Sequence, residues 1–317
     1  VFLTFEGAGS GDDGEPFAHM VPNRAMTGSL LRQAEALGIP VHWSTSAEGF
    51  STGQHATTVT LSDGTERRTR LLVACDGVRS KLRDMAGIKT VRFDYGQSGI
   101  VTTVEHERPH EGTAEEHFLP AGPFATLPLT GNRSSLVWTE RTEDARRLVE
   151  SDDLVFDEEL ERRFGHKLGA LKVAGGRRAF PLGLTLARAF VAPRFALAGD
   201  AAHGIHPISG QGLNLGFKDV AALAETIVEA DRLGLDIRAP SVLERYETRR
   251  RFRTVRRGIT TDVLNRLFSN DVTPLRVLRD VGLGVVDRLP SLKSFFIRQA
   301  EGTGGDGHPR MLVGQRI

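Results

Sequence analysis

The stretch from Ala196 to Val220, ALAGDAAHGIHPISGQGLNLGFKDV, holds the residues best spaced for chemistry. The apolar run FALAGD at 195–200 reads as a buried strand ending in Gly199-Asp200. It delivers the Asp200 carboxylate to its carboxyl edge, the crevice where open α/β sheets take their ligands. Gly210 and Gly212 in the next turn let backbone approach a ligand closely. A helix from Gly212 onward points its N-terminal amides back at the same place and can stabilise negative charge there. Strand, acid, glycine-rich turn and helix in this order suit a cofactor with sugar hydroxyls and a ring that forms an anion. The same order also serves a plain strand-to-helix connection, so these residues alone leave both readings open.

Three other groups stand out. Asp76-Gly77 closes the run RLLVAC, and alone it means only a turn. His203 and His206 lie three apart, but no nearby Cys or Glu completes a ligand set, so no metal is expected. Arginines 245, 249, 250, 251, 253, 256 and 257 interleave with Tyr246, Phe252 and Val255. We read this run as a solvated helix face with salt bridges to Glu244 and Glu247, the alternative being a patch that docks on anionic lipid.

The elements that must position these groups follow from periodicity. Leu30, Leu31, Ala34 and Leu37 recur at helical spacing from Asn23 to Leu37, with Asn23 as the N-cap. Residues 57–75 read as one hairpin, TVTLS and RLLVAC about the turn signal Asp63-Gly64. From about Val91 to Glu140, short β-like runs separated by Pro and Gly indicate a separate antiparallel sheet. An acidic helix covers about Asp153 to Phe164. The helix after Gly212 carries an apolar stripe of Leu213, Phe217, Val220, Ala224 and Ile227. From about Ala239 the chain is helical, with Pro274 and Pro290 as breakers before a Gly-rich tail, and no internal repeat is present. Strands followed by helices, interrupted by an antiparallel block, give a doubly wound nucleotide-binding sheet with a substrate layer inserted between its parts.

Composition sets the outer bounds. The 317 residues suffice for two domains, and 39% hydrophobic with 26% charged side chains is ordinary for a globular protein. The 41 basic and 40 acidic residues nearly cancel, which gives no electrostatic reason to bind nucleic acid. One cysteine, Cys75, excludes an internal disulfide framework and fits a reducing, cytoplasmic setting. No run reaches the roughly 18 apolar residues of a membrane span, so membrane contact is expected only as peripheral contact at the inner face.

With both motifs in view, the chain resembles the class A flavoprotein monooxygenases, in the ubiquinone-biosynthesis branch. GDAAHGIHPISGQGLNLGFKDV is similar to the family's flavin-contacting Gly-Asp motif. LLVACDGVRSKLR at 71–83 is similar to its Asp-Gly motif, with Asp76, Gly77, Ser80 and Arg83 at matching places. YGQSGIV at 95–101, HFLPAGPFATLPL with SSLVW at 117–138, and TDVLNRLFSND at 261–271 resemble the ubiquinone branch in particular. The resemblance implies that Asp200, after Gly199, bonds the flavin ribityl chain. It implies that Pro207 and His206 border the reactive ring, and that Gly210, Gln211, Gly212, Leu213 and Asn214 lie along its pyrimidine end. Asp76 and Gly77 would serve flavin and nicotinamide binding, and Arg24 in VPNRAMTGSLL would contact the flavin.

The implied fold is that of p-hydroxybenzoate hydroxylase, an FAD/NAD(P)-binding doubly wound sheet with an inserted antiparallel substrate sheet and a helical C-terminus. Residues 19–92 and 184–300 would form the discontinuous FAD domain, 1–18 and 93–183 the substrate sheet, and 301–317 a flexible tail. The implied activity is hydroxylation of a phenolic ring, prenylated as in ubiquinone precursors, with FAD, O2 and NAD(P)H, through a flavin C4a-hydroperoxide. A flavoprotein reductase or halogenase, and a flavin-free scaffold of a quinone-biosynthesis complex, are the rival readings. The strand, G-x-G-x-x-G and helix that hold the adenosine pyrophosphate in the family are not found. Gly7, Gly9 and Gly11 lead into Asp12-Asp13-Gly14-Glu15-Pro16, which reads as a hairpin loop, and Gly302, Gly304 and Gly307 sit in the tail. The chain is therefore read as shortened at its N-terminus.

Overall fold

A computed structural model describes residues 18–205, 212–268 and 309–317. The first helix, α1 (Asn23–Ala36), starts at Pro22, whose carbonyl accepts the amides of Ala25 and Met26. Asn23 is therefore the first helical residue and not the cap expected for it, because proline's fixed φ already suits the position before the helix. The helix contributes no buried residue, and Leu30 and Leu37 are 56% and 65% exposed.

Next come β1 (Ala47–Thr52), β2 (Thr57–Leu61) and β3 (Glu66–Thr69), a small antiparallel sheet in the order β1-β2-β3. The hairpin turns at Asp63-Gly64 as its sequence indicates, but its returning strand is ERRT, not RLLVAC. The apolar remainder forms β4 (Leu72–Ala74), which leaves the hairpin and pairs elsewhere. The division follows side-chain chemistry: the charged segment takes the solvated sheet, and the apolar one pairs in parallel with a buried strand.

After a short helix, α2 (Lys81–Met85), the chain builds a seven-stranded sheet. Its strands are β5 (Thr90–His106), β6 (Glu115–Leu119), β7 (Gly122–Leu129), β8 (Arg133–Arg141), β9 (Leu171–Val173) and β10 (Arg178–Ala187), joined later by β13 (His203–Gly204). The order is β13-β10-β5-β8-β7-β6, with β9 beside β5, and every pairing is antiparallel. Two helices, α3 (Thr142–Glu150) and α4 (Asp153–Phe164), cover one face. There Ile100, Val104, Phe124, Leu136, Trp138, Phe156 and Leu160 form one core, all at most 1% exposed. The acidic helix at 153–164 falls where its sequence places it, whereas α3 has no forecast in the periodicity.

Two strands, β11 (Val191–Ala192) and β12 (Phe195–Leu197), complete a third sheet, ordered β11-β12-β4, in which β12 and β4 run parallel. Two long helices follow, α5 (Gly212–Arg232) and α6 (Pro240–Phe268). The apolar stripe of α5 is inward only in part, with Ile227 packed against the core. Leu213 and Val220 are about half exposed, while Leu215, Asp219, Ala222, Leu223, Thr226 and Ala230 face inward. Small residues at the inward positions let α5 sit close to the motif turn, and Phe217 and Val220 instead line an open groove of about 450 Å³ with Met311 and Leu312. No helix among the described residues is long and apolar enough to cross a membrane.

Candidate functional site

The parallel pairing of β4 and β12 brings the two motifs together. Ala74 stands opposite Leu197 in register, and the chain continues from these ends into Asp76-Gly77 and Gly199-Asp200. Both acids thus leave the carboxyl edge of adjacent parallel strands, which is where open α/β sheets bind ligands.

Three glycines set the spacing of these turns. Gly199 has φ +62°, and a Cβ on Gly216 would lie 3.4 Å from the Gly199 Cα, so α5 rests directly on the turn. A Cβ on Gly204 would come within 2.7 Å of Val78 Cγ2, so β13 and the loop after Asp76-Gly77 are in contact through a missing side chain. Arg83 joins the same two loops by hydrogen bonds. Its Nη1 donates to Val78 O at 3.1 Å and to Ala201 O at 3.0 Å, and the residue is fully buried. Ser80 Oγ accepts from Arg83 N, and Asp76 Oδ2 accepts from Leu82 N, so the Asp-Gly turn is tied down from its own helix.

Asp200 itself is exposed and accepts no hydrogen bond from the described residues. The protein packed at its base pushes its carboxyl up, against the opposing influence of His203. An acceptor-only group in this position can take hydroxyl donors from a ligand. Gly212, where α5 begins, has no atom of the described residues within 4 Å of a would-be Cβ. Leu213 and Asn214 are exposed in the first turn beside it. A ribityl-bearing, anion-forming cofactor therefore fits what this edge offers. Arg24 lies exposed at the start of α1, outside these hydrogen bonds. His206, Pro207, Gly210 and Gln211 lie outside the described residues, as do Gly302, Gly304 and Gly307.

A charged cluster lies behind the turn. Asp219 Oδ2 accepts from Gly199 N at 3.0 Å and contacts His203 Nε2 at 2.5 Å, while Oδ1 accepts from Arg250 Nε at 2.6 Å. Burial pushes the Asp219 carboxyl up, but the bond and charge of His203 and then Arg250 outweigh it, and the group stays below the usual carboxylate range. Sequence reasoning missed Asp219. The signal was present as one acid among apolar and small residues on a helix, and a matching cation inside the arginine run.

Among the described side chains of that run, Arg245 pairs with Glu229 at 2.7 Å, Arg249 reaches Glu225 and Glu229 at 3.8 Å, and Arg251 pairs with Glu247 of its own helix, at 4.0 Å. The salt-bridge reading thus holds for Glu247, and Glu225 and Glu229 of α5 are added partners. Tyr246, expected only as part of the run, is buried and donates to Leu197 O at 2.6 Å.

The large sheet offers a second surface. Register places Val101, Val137 and Ala125 across one another on the face away from α3 and α4, with Leu127 and Phe180 on the same side. These side chains are partly exposed, Phe180 at 52%. Strand β10, which carries Phe180, pairs with β13, the strand that leads into residues 206–211.

Comparison with known proteins places the chain in a family. The model of a family described as FAD binding domain matches residues 7–257. A ubiquinone hydroxylase of Rhodospirillum rubrum is 46% identical over 306 residues, covering 94% of this chain and 70% of its own length. The mouse mitochondrial ubiquinone biosynthesis monooxygenase COQ6 is 34% identical over 326 residues, covering 89% of this chain and 68% of its own. Among solved structures, the anhydrotetracycline hydroxylase OxyS of Streptomyces rimosus superposes with a TM-score of 0.73 at 23% identity. It covers 98% of this chain, which spans 62% of that structure, and at such identity the likeness speaks to the fold alone.

Proposed function

The chain belongs to the FAD-dependent aromatic monooxygenases, among the hydroxylases of ubiquinone biosynthesis, and from that premise we propose that the full-length protein hydroxylates the phenolic ring of a prenylated quinone precursor. Bound FAD, reduced by NAD(P)H and reacting with O2, supplies the oxygen atom. The chain's own residues bind, orient and shield. Asp200 accepts from ribityl hydroxyls, and the α5 N-terminus stabilises negative charge on the ring system. The Asp76-Gly77 turn, held by Arg83, fixes the neighbouring backbone. The half-open apolar face of Val101, Ala125, Leu127, Val137 and Phe180 suits a flat ring with an apolar tail and excludes water above it.

The observation that carries this reading is the delivery of two acid-bearing turns from adjacent parallel strands to one edge, against a helix start. In the full-length protein, Asp200→Ala is expected to lower flavin occupancy in the visible spectrum and hydroxylation with it. Unchanged occupancy and turnover sink the assignment. Labelled O2 separates the rivals, since a reductase or halogenase leaves no labelled oxygen in the product, and a scaffold shows no flavin spectrum at all. We further infer a cytoplasmic location, in contact with the inner membrane face, which the 72% exposed Phe252 beside Arg251 supports. Co-sedimentation with anionic vesicles tests it, and Phe252→Ser should lower the bound fraction.

A further inference from the structure

We propose that Asp219, with His203 and Arg250, is a positioning device for the flavin edge: it fixes the backbone of the Gly199-Asp200 turn, and Arg250 compensates the carboxylate charge behind that turn. The inference rests on the flavin reading of the site and names residues that reading does not use.

The geometry is that of a hub. Asp219 stands on α5, and its carboxylate gathers one donor from the turn, one from β13 and one from α6. His203 and Asp219 have fully buried side chains and that of Arg250 is 5% exposed. The Arg250 guanidinium also donates to Leu215 O at 3.3 Å, one turn earlier in α5. A carboxylate buried this deeply is held there only if its charge is compensated and its lone pairs are satisfied. Three donors from three elements meet both conditions, and one of them is the amide adjacent to Asp200.

The protonation pattern follows from the donors. A carboxylate only accepts, so His203 Nε2 carries the hydrogen of the 2.5 Å contact. His203 Nδ1 is buried with no hydrogen-bond partner among the described residues. The negative charge of Asp219 is compensated on its other oxygen by the Arg250 guanidinium. Removing Arg250 leaves the carboxylate without that cation, directly behind the turn that carries Asp200. In a medium that screens poorly, such a charge acts on its surroundings. It opposes the added electrons of a reduced, anionic flavin more than it opposes the oxidised ring.

The test uses the full-length holoenzyme and two readouts, the FAD dissociation constant and the flavin midpoint potential. Arg250→Met is expected to weaken FAD binding about tenfold and the binding of the two-electron-reduced form a further tenfold, a potential lower by about 30 mV. The double variant Asp219→Asn with Arg250→Met removes both charges and keeps an acceptor for Gly199 N, so its potential should return to the wild-type value. Arg250→Lys, which keeps the charge and is the gentler change if the Met variant does not fold, should leave the potential in place while loosening FAD. A wild-type dissociation constant and potential in Arg250→Met overturn the proposal. So does a lowered potential that the double variant fails to restore, or that the Lys variant shares. Wild-type protein that takes up no flavin would instead overturn the reading of the site, and the two failures are thereby distinct.

Discussion

The two cores of the molecule are built on opposite principles. Under the large sheet, Trp138, Phe124, Phe156 and Leu136 fill volume, with Trp138 against Phe124 at a centroid distance of 5.9 Å and against Phe156 at 5.5 Å. Around the motif turns, Ala74, Ala187, Ala196, Ala201, Ala202 and Ala222 leave little side chain between backbones, and Phe190, Phe195 and Tyr246 close the rim. The first core supplies stability by burying large apolar groups. The second gives up volume so that strands, turns and α5 approach closely enough for Asp219 and Arg83 to reach backbone atoms. Buried charges accordingly concentrate where side chains are small.

The sharpest separation of the two is Trp138→Ala, expected to cost about 3–5 kcal/mol in urea unfolding and to leave Glu140, which now accepts from Trp138 Nε1, with Arg163 as its remaining donor. If the cores are independent, the surviving folded protein keeps its flavin affinity, and a parallel loss of affinity would break the contrast. Gly204→Ala comes next, because its Cβ meets Val78 Cγ2. The expected loss is about 1–3 kcal/mol, with lowered flavin occupancy, and adding Val78→Ala should recover part of both. Tyr246→Phe leaves the Leu197 carbonyl without its buried donor and should cost roughly 1 kcal/mol, read as a shift in the urea midpoint. The smallest effect is the acid limb of stability. Because the folded state holds Asp219 below its ordinary value, that contribution is complete above about pH 4. It is lost as pH falls through the depressed value. Urea midpoints against pH should therefore drop more steeply on the acid side in wild type than in Asp219→Asn.

Much of this was legible in the chain itself. Strand FAL with its Gly-Asp end, the acidic helix at 153–164, the antiparallel block and the start of α5 at Gly212 all carry local signals, either periodicity or a turn residue, and the structure forms them. The errors have one source, which is that period alone does not say what lies opposite. RLLVAC looked like the hairpin's second strand because it follows a good turn, yet its apolar residues have a better partner in β12. The stripe Leu213, Phe217 and Val220 has the right spacing, but the close seat of α5 on Gly199 selects the face of small residues. Asp219 and Arg250 were illegible as a pair because their meeting depends on how α5 and α6 cross, which neither helix states alone.

The pairing of β4 with β12 also bears on how the protein is made. Arg83 and Ala201, which join the two motif turns, are 118 residues apart in sequence. On the ribosome, most of the large sheet from β5 to β10 emerges and can close on nearer partners first, since contacts of short separation cost less to form. Strand β4, synthesised before all of it, must wait with an open edge until β12 arrives, and Asp219 waits longer still for Arg250. The edge that carries Asp76 and Asp200 is thus completed after the large sheet that lies between its two strands in sequence. Nascent chains halted before α6 are expected to hold that sheet while Asp219 still lacks Arg250, and apolar surface left open in that interval favours aggregation.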